Sequence, residues 1–259
     1  MELYKQSNMT PKNYQDNFFN SHLKASISSA KEIIPVILKY IKPTSVIDVG
    51  CGVGTWLSIW EKFGVKEILG IDGNYVRTEE LLIDVEKFIA DDLEKGFQAN
   101  RQFDLACCLE VAEHIKPENA ENFILSICNL SDVVLFSAAI PGQEGTLHYN
   151  EQYPEFWIKL FAKQDFKAFD CLREQVWNND KISWWYRQNI MFFVRNKTKE
   201  KYPSITKDQR PVLSLVHPEL FKYKCEKADN YEKILQNPFT ILRHFTLKYI
   251  YKIKNFLKK

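Results

Sequence analysis

The stretch VIDVGCGVGTWL (46–57) limits the folds open to this chain more than any other. An apolar run ends in alternate glycines, Gly50, Gly52 and Gly54, and the amphipathic run GTWLSIWEKF (54–63) follows at once. That order reads as buried strand, tight turn and helix. Glycines let a ligand approach the backbone closely, and the helix start offers unpaired N–H groups. In an open α/β sheet, ligands bind at the carboxyl end of such a strand. A dinucleotide fingerprint would read G-x-G-x-x-G, but here the spacing is G-x-G-x-G, with Thr55 where the third glycine belongs. Asp48 lies inside the strand, just before the turn. A carboxylate there has no clear use beside a pyrophosphate. It does have one beside a ligand that carries an ammonium group.

Further apolar and amphipathic runs alternate along the chain. Strands are expected at 45–49, 66–71, 87–90, 103–110, 132–140, 166–172 and 189–196, and helices at 26–41, 54–63, 117–130 and 151–164. Pro35 is a candidate kink in the first helix, and Pro43 lies just past its end. Continuous apolar strands separated by helices argue for a mostly parallel sheet covered on both faces. The last two strands have no helix-like run between them and are expected to pair antiparallel at one edge. The expected organisation is a helical segment over 1–44, a core over 45–196, and a linker with a C-terminal helix over 197–259. In the tail, Leu242, Phe245, Tyr249, Ile253 and Phe256 form one apolar stripe on a basic segment. That helix is expected either to dock on the body or a second subunit, making a homodimer, or to lie on an anionic membrane surface.

A net charge of +2 over 259 residues does not mark the whole chain as a polyanion binder. The N-terminus lacks an apolar h-region and no stretch reaches 18 apolar residues, so neither a signal peptide nor a membrane span is expected. Six cysteines without a C-x-x-C pair suit free, mostly buried thiols in a reducing cytoplasm.

With these motifs in order, the sequence resembles the class I S-adenosylmethionine (SAM) dependent methyltransferases from about Ile47 to Asn196. The resemblance implies a Rossmann-like α/β fold with a seven-stranded, mostly parallel sheet. It also implies SAM as methyl donor, leaving as S-adenosylhomocysteine. Asp48-Val-Gly-Cys-Gly matches the motif that holds the methionine part, with Gly50, Cys51, Gly52, Thr55 and Trp56 in that donor set. Asp72, followed by Gly73, matches the acid that grips both ribose hydroxyls. ADDL (90–93) matches the adenine segment through Asp91, Asp92 and Leu93, and FDLACCLEVAEHI (103–115) the fourth motif, with Leu109 and Glu110. The segments LFSAAIPGQEGTLHYNEQYPEFW and WWYRQN look like methyltransferases of bacterial capsule and lipopolysaccharide sugar pathways. That implies O-methylation of a sugar, nucleotide-linked or within a glycan, in the cytoplasm or at the inner face of the membrane.

Methyl transfer from a sulfonium to a hydroxyl needs in-line positioning and a route for the hydroxyl proton. Among the histidines, only His114 and His148 fall at carboxyl ends of expected sheet strands. His148, in the loop PGQEGTLHYNEQ (141–152), is the first candidate for general base, with His114 and Glu110 beside it. Glu110, Glu113, His114 and His148 also form a candidate divalent site. The small-RNA 2′-O-methyltransferases of plants and the O-methyltransferases of ubiquinone synthesis look similar in this segment, and in them the matching residues hold a metal. The same E-V-x-E-H occurs in methyltransferases without metal, so both roles stand open. Tyr149, Asn150, Gln152, Trp185, Tyr186, Arg187 and Asn189 are candidate acceptor contacts, with Arg187 suited to a phosphate. RNA as acceptor is disfavoured because 1–196 carries no strong basic run; a small metabolite such as a phenol, and a non-catalytic SAM-binding scaffold, remain alternatives.

Overall fold

The computed structural model describes residues 11–236. Two compact units divide the chain, one ending at Leu215 and the other beginning at Val216. The first unit opens with helix α1 (Pro11–Ile37) and continues β1 (Ser45–Val49), α2 (Thr55–Lys62), β2 (Glu67–Asp72), β3 (Phe88–Ala90), β4 (Leu105–Leu109), α3 (Ala120–Leu130) and β5 (Val133–Ser137). It ends with α4 (Pro154–Lys163), β6 (Phe166–Phe169), α5 (Arg173–Val176), α6 (Trp184–Asn189), β7 (Met191–Arg195) and α7 (Pro203–Thr206). The second unit contributes α8 (Pro218–Gln236), with Phe221, Tyr231 and Leu235 exposed.

The seven strands form one sheet in the order β3-β2-β1-β4-β5-β7-β6. β7 runs antiparallel to both β5 and β6, and every other pairing is parallel. The reversed strand therefore lies one in from the edge, and β6 takes the edge. The order reverses beside β1 and β4, and such a switch point is where open α/β sheets hold their ligands. Alternate residues serve opposite faces: Val46, Phe192 and Val194 join one core cluster with Ile33, Ile37 and Trp60, while Ile47, Val49, Met191 and Phe193 join the other with Phe123, Trp157 and Phe161. Two covered faces explain why the strands read as unbroken apolar runs.

Most expected boundaries agree with these elements to within three residues. Helix α1 is the exception, because it starts at Pro11 rather than Ser26 and contains Pro35 in its last turn. Helix α4 starts at Pro154, which stands at its first position, where a missing N–H costs nothing. Residues 151–153 are thereby left to the preceding loop. Two short helices, α5 and α6, fill the gap expected to be helix-free before the last strand. Of the free cysteines, Cys51, Cys107, Cys108, Cys128 and Cys171 are buried and Cys225 is exposed. Among the described residues no helix is long and apolar enough to cross a membrane. The basic stripe expected over 240–259 lies outside the described residues.

Candidate functional site

The carboxyl ends of β1, β2, β3 and β4 open on two clefts that share Gly50. The larger, of about 860 Å³, is lined by Asp72, Gly73, Tyr75, Asp91, Asp92, Leu93, Glu110, His114 and Tyr149 among others. The smaller, of about 210 Å³, is lined by Asp48, Cys51, Gly52, Thr55, Trp56, Leu109 and Tyr186, together with Leu23 and Ser26 of α1. Every residue of the expected donor set lines one of the two. Leu23 and Ser26 escaped the sequence reading because nothing in it shows that α1 folds back over the glycine turn. A separate hollow around Tyr40 and Arg210 has none of these groups.

Gly50 has to be glycine: its φ is +76°, and a Cβ there would stand 2.3 Å from Val111 Cγ2. The turn it makes brings Gly52 N–H onto Asp72 Oδ2 at 2.6 Å. Asp72 Oδ1 accepts the Gly73 N–H at 2.6 Å and also the Tyr75 hydroxyl. Three donors, two of them backbone N–H groups, leave the carboxylate oriented, with a lone-pair site on Oδ2 over for a ligand. Burial, and then the charge of Asp72, push the Asp48 carboxyl well above the usual range. A cationic group brought beside it would reverse that shift.

β4 ends in Glu110, which has φ +57°. That left-handed conformation is uncommon for a side chain of this size, and such strain clusters at functional sites. Its Oε1 accepts from Asn189 Nδ2 at 3.1 Å and its Oε2 from Gln143 Nε2 at 2.7 Å. Asn189 and Gln188 also donate to Gln143 Oε1, so the loop after β5 and helix α6 are tied to one carboxylate. Burial raises the Glu110 pKa, and the amide bonds oppose the rise. Glu110 thus stands apart from the cation set in which it was expected, with both oxygens engaged by amides.

Glu113, His114 and His148 do come together. One ligand atom from each lies within 4.8 Å of the others. Glu113 is 1% exposed, its Oε2 has no hydrogen-bond partner, and burial followed by the charge of Glu110 raises its pKa well above the usual value. Burial lowers the His114 pKa. His114 Nδ1 lies 3.1 Å from the Leu147 carbonyl, and His148 Nδ1 lies 2.8 Å from Glu151 Oε1. A carbonyl or carboxylate can only accept, so both Nδ1 atoms carry hydrogen and both Nε2 atoms keep a lone pair in the neutral rings. An orphaned carboxylate oxygen beside two imidazoles fits a divalent cation.

The expected acceptor residues divide. Tyr149 lines the large cleft and is 54% exposed. Asn150 is buried and accepts from Gln152, which lines a small hollow against Trp157. Trp185 packs against the core, and Tyr186 bonds Trp56 Nε1 from inside the smaller cleft. Arg187 is buried and donates to the Trp177 carbonyl at 3.2 Å, so it does not face a phosphate in the large cleft. The reason is that WWYRQN is a helix whose later residues turn into the core. Gln143, Tyr75 and Glu151, not chosen from the sequence, hold the site together; an amide and an acid within a turn-rich stretch were the signal for Gln143 and Glu151, and none marked Tyr75.

A family profile described as a methyltransferase domain matches residues 19–187. No curated protein matches the chain. Among solved structures, a sugar N-methyltransferase from Streptoalloteichus is similar at 14% identity over 70% of this chain and 92% of that one, with a TM-score of 0.54. An O-methyltransferase family protein from Burkholderia thailandensis is similar at 10% identity over 71% of this chain and 59% of that one, with a TM-score of 0.50. Magnesium protoporphyrin IX methyltransferase from Synechocystis with bound SAH is similar at 18% identity over 74% of this chain and 91% of that one, with a TM-score of 0.46. At such identities the likeness is one of fold. The profile covers well over half of the sequence, and the chain belongs to the methyltransferase-domain family.

Proposed function

We propose that this protein is a SAM-dependent O-methyltransferase acting on a sugar hydroxyl, nucleotide-linked or within a surface glycan, with a divalent cation at Glu113, His114 and His148. The observation that carries the reading is that cluster, with its orphaned Glu113 oxygen, placed against the cleft that contains Asp72. Bound SAM supplies an electrophilic methyl group. Asp48 would meet its ammonium, Asp72 its ribose hydroxyls, and Asp91 or Asp92 its adenine. The Gly50–Gly54 turn admits it close to the backbone. A divalent cation held by the cluster would acidify and orient an acceptor hydroxyl.

This chain's own groups do the rest. Glu113 is buried and so disposed to gain a cationic neighbour. His114 and His148 each present a lone pair at Nε2. Tyr75 and Tyr149, 76% and 54% exposed, flank the same cleft, and aromatic faces suit the C–H surfaces of a sugar. The segment 45–196 supplies the catalytic core, and its reaction belongs in the cytoplasm, where sugar precursors are made.

The test is methyl-labelled SAM incubated with purified protein, Mn²⁺ and a panel of nucleotide sugars, RNA oligonucleotides and phenols, with products read by mass spectrometry. Label on a sugar oxygen is expected. Transfer to RNA or a phenol with none to any sugar would overturn the acceptor class, and transfer to nothing would overturn the activity.

A further inference from the structure

One carboxylate holds the loop between β5 and α4. Glu151 Oε2 accepts the Gly142 N–H at 2.8 Å, and Oε1 accepts the Glu144 N–H at 2.7 Å. His148 Nδ1 lies 2.8 Å from the same Oε1. The backbone bends to deliver these donors: φ is +84° at Gly142 and +63° at Glu144, a conformation that costs a residue with a side chain. His148 and Glu151 side chains are 12% and 18% exposed, so solvent screens the pair little.

Three donors converge on this carboxylate, and that fixes the chemistry of the ring. A carboxylate offers no hydrogen, so Nδ1 must carry it, and Nε2 of the neutral ring is left as the lone-pair atom. We infer that Glu151 is the positioning residue of this site. By accepting Nδ1–H it holds His148 in the tautomer whose Nε2 can take a cation or a proton. By accepting two loop N–H groups it sets where that nitrogen stands. The inference rests on the proposed reading that His148 works through Nε2, and it holds whether that nitrogen is a cation ligand or a base.

Glutamine has the right size and the wrong chemistry. One end of its amide donates, so in Glu151→Gln an NH₂ group faces either the Gly142 N–H, in place of Oε2, or both the Glu144 N–H and the His148 Nδ1–H, in place of Oε1. In the second orientation the ring relieves its own conflict by moving its hydrogen to Nε2, which removes the useful lone pair; in the first, the Gly142 N–H loses the acceptor that helps set where the ring stands. Glu151→Asp keeps an acceptor-only group and is the rescuing variant.

Long-range ¹H–¹⁵N spectra of the full-length labelled protein read the tautomer directly, with the His148 signals assigned by their loss in His148→Ala. The wild type is expected to carry its hydrogen on Nδ1, Glu151→Gln to shift toward Nε2–H, and Glu151→Asp to keep Nδ1–H. Methyl transfer by Glu151→Gln, to the nucleotide sugar the wild type methylates, is expected to fall about tenfold to a hundredfold, the range for losing an outer partner of a site histidine. SAM affinity by calorimetry is expected to stay unchanged. A wild-type His148 with hydrogen on Nε2 overturns the inference, and so does a Glu151→Gln variant that keeps the wild-type rate. If that variant does not fold, the wild-type spectrum decides alone. The spectra need no acceptor, so a tautomer switch in a protein that methylates no sugar refutes the proposed activity and leaves the role of Glu151 standing.

Discussion

The imidazoles of His114 and His148 meet edge to face with ring centroids 4.9 Å apart. One ring comes from the turn after β4 and the other from the loop after β5, so the contact joins two strand ends that are neighbours in the sheet. The Tyr149 and Asn150 N–H groups both donate to the Glu113 carbonyl, at 2.9 and 3.0 Å, which locks the loop onto the turn that bears two of the cluster residues.

Gly145 makes room for this arrangement. A Cβ there would stand 2.1 Å from His148 Nε2. Gly145→Ala is therefore expected to push the ring aside and lower methyl transfer at least roughly tenfold, the low end for losing a group that handles the hydroxyl proton. SAM affinity measured by calorimetry should not change. Full activity in this variant would mean that the ring's position is unimportant.

Asp72 and Tyr75 predict opposite effects on the donor. Asp72→Ala removes the carboxylate assigned to the ribose and is expected to weaken SAM binding about tenfold to a hundredfold, as for hydrogen bonds to a charged group. The Tyr75 hydroxyl occupies an acceptor position on Asp72 Oδ1. Tyr75→Phe frees it and is expected to tighten SAM binding by about twofold to tenfold, the worth of one neutral hydrogen bond. Calorimetric titration of both variants checks the pair; a weaker Tyr75→Phe complex would place Tyr75 among the donor contacts instead.

Asp48 links the donor site to stability. Its carboxyl is raised well above 3.8 by burial and by Asp72, so the ligand-free fold retains a proton that the unfolded chain releases above that pH. Stability contributed by Asp48 is present below 3.8 and is lost as pH rises through the raised folded value. Asp48→Asn stays neutral, so without ligand it should melt above the wild type at neutral pH and lose less stability with rising pH. It should also fail to bind SAM. Thermal melts across pH, with and without SAM, test both halves.

The sequence made the strands legible because both faces of the sheet are covered, so SVIDV and DVVLFSAAI read as apolar runs with no alternation to confuse them. Gly50 was legible because the turn after its strand demands glycine, whereas Asp72 and Glu110 were legible through the resemblance, each at the end of its strand. The antiparallel pairing of the last two strands at one edge was legible as well, but periodicity does not show that β7 inserts between β5 and β6. Arg187 looked like a phosphate ligand because composition cannot show that its helix turns it toward the Trp177 carbonyl. Glu151 was one acid among several in a polar loop until its three donors, all within ten residues along the chain, were seen to converge.

Methyl transfer by chelator-treated protein, with and without Mn²⁺ returned, bears most directly on the Glu113–His114–His148 cluster as the place where the acceptor hydroxyl is activated. The expected result is loss of transfer on chelation, recovery with Mn²⁺ in the wild type, and no recovery in His148→Ala, while SAM binds throughout. Full transfer by chelated wild-type protein would contradict the cation reading and leave His148 as a base acting alone.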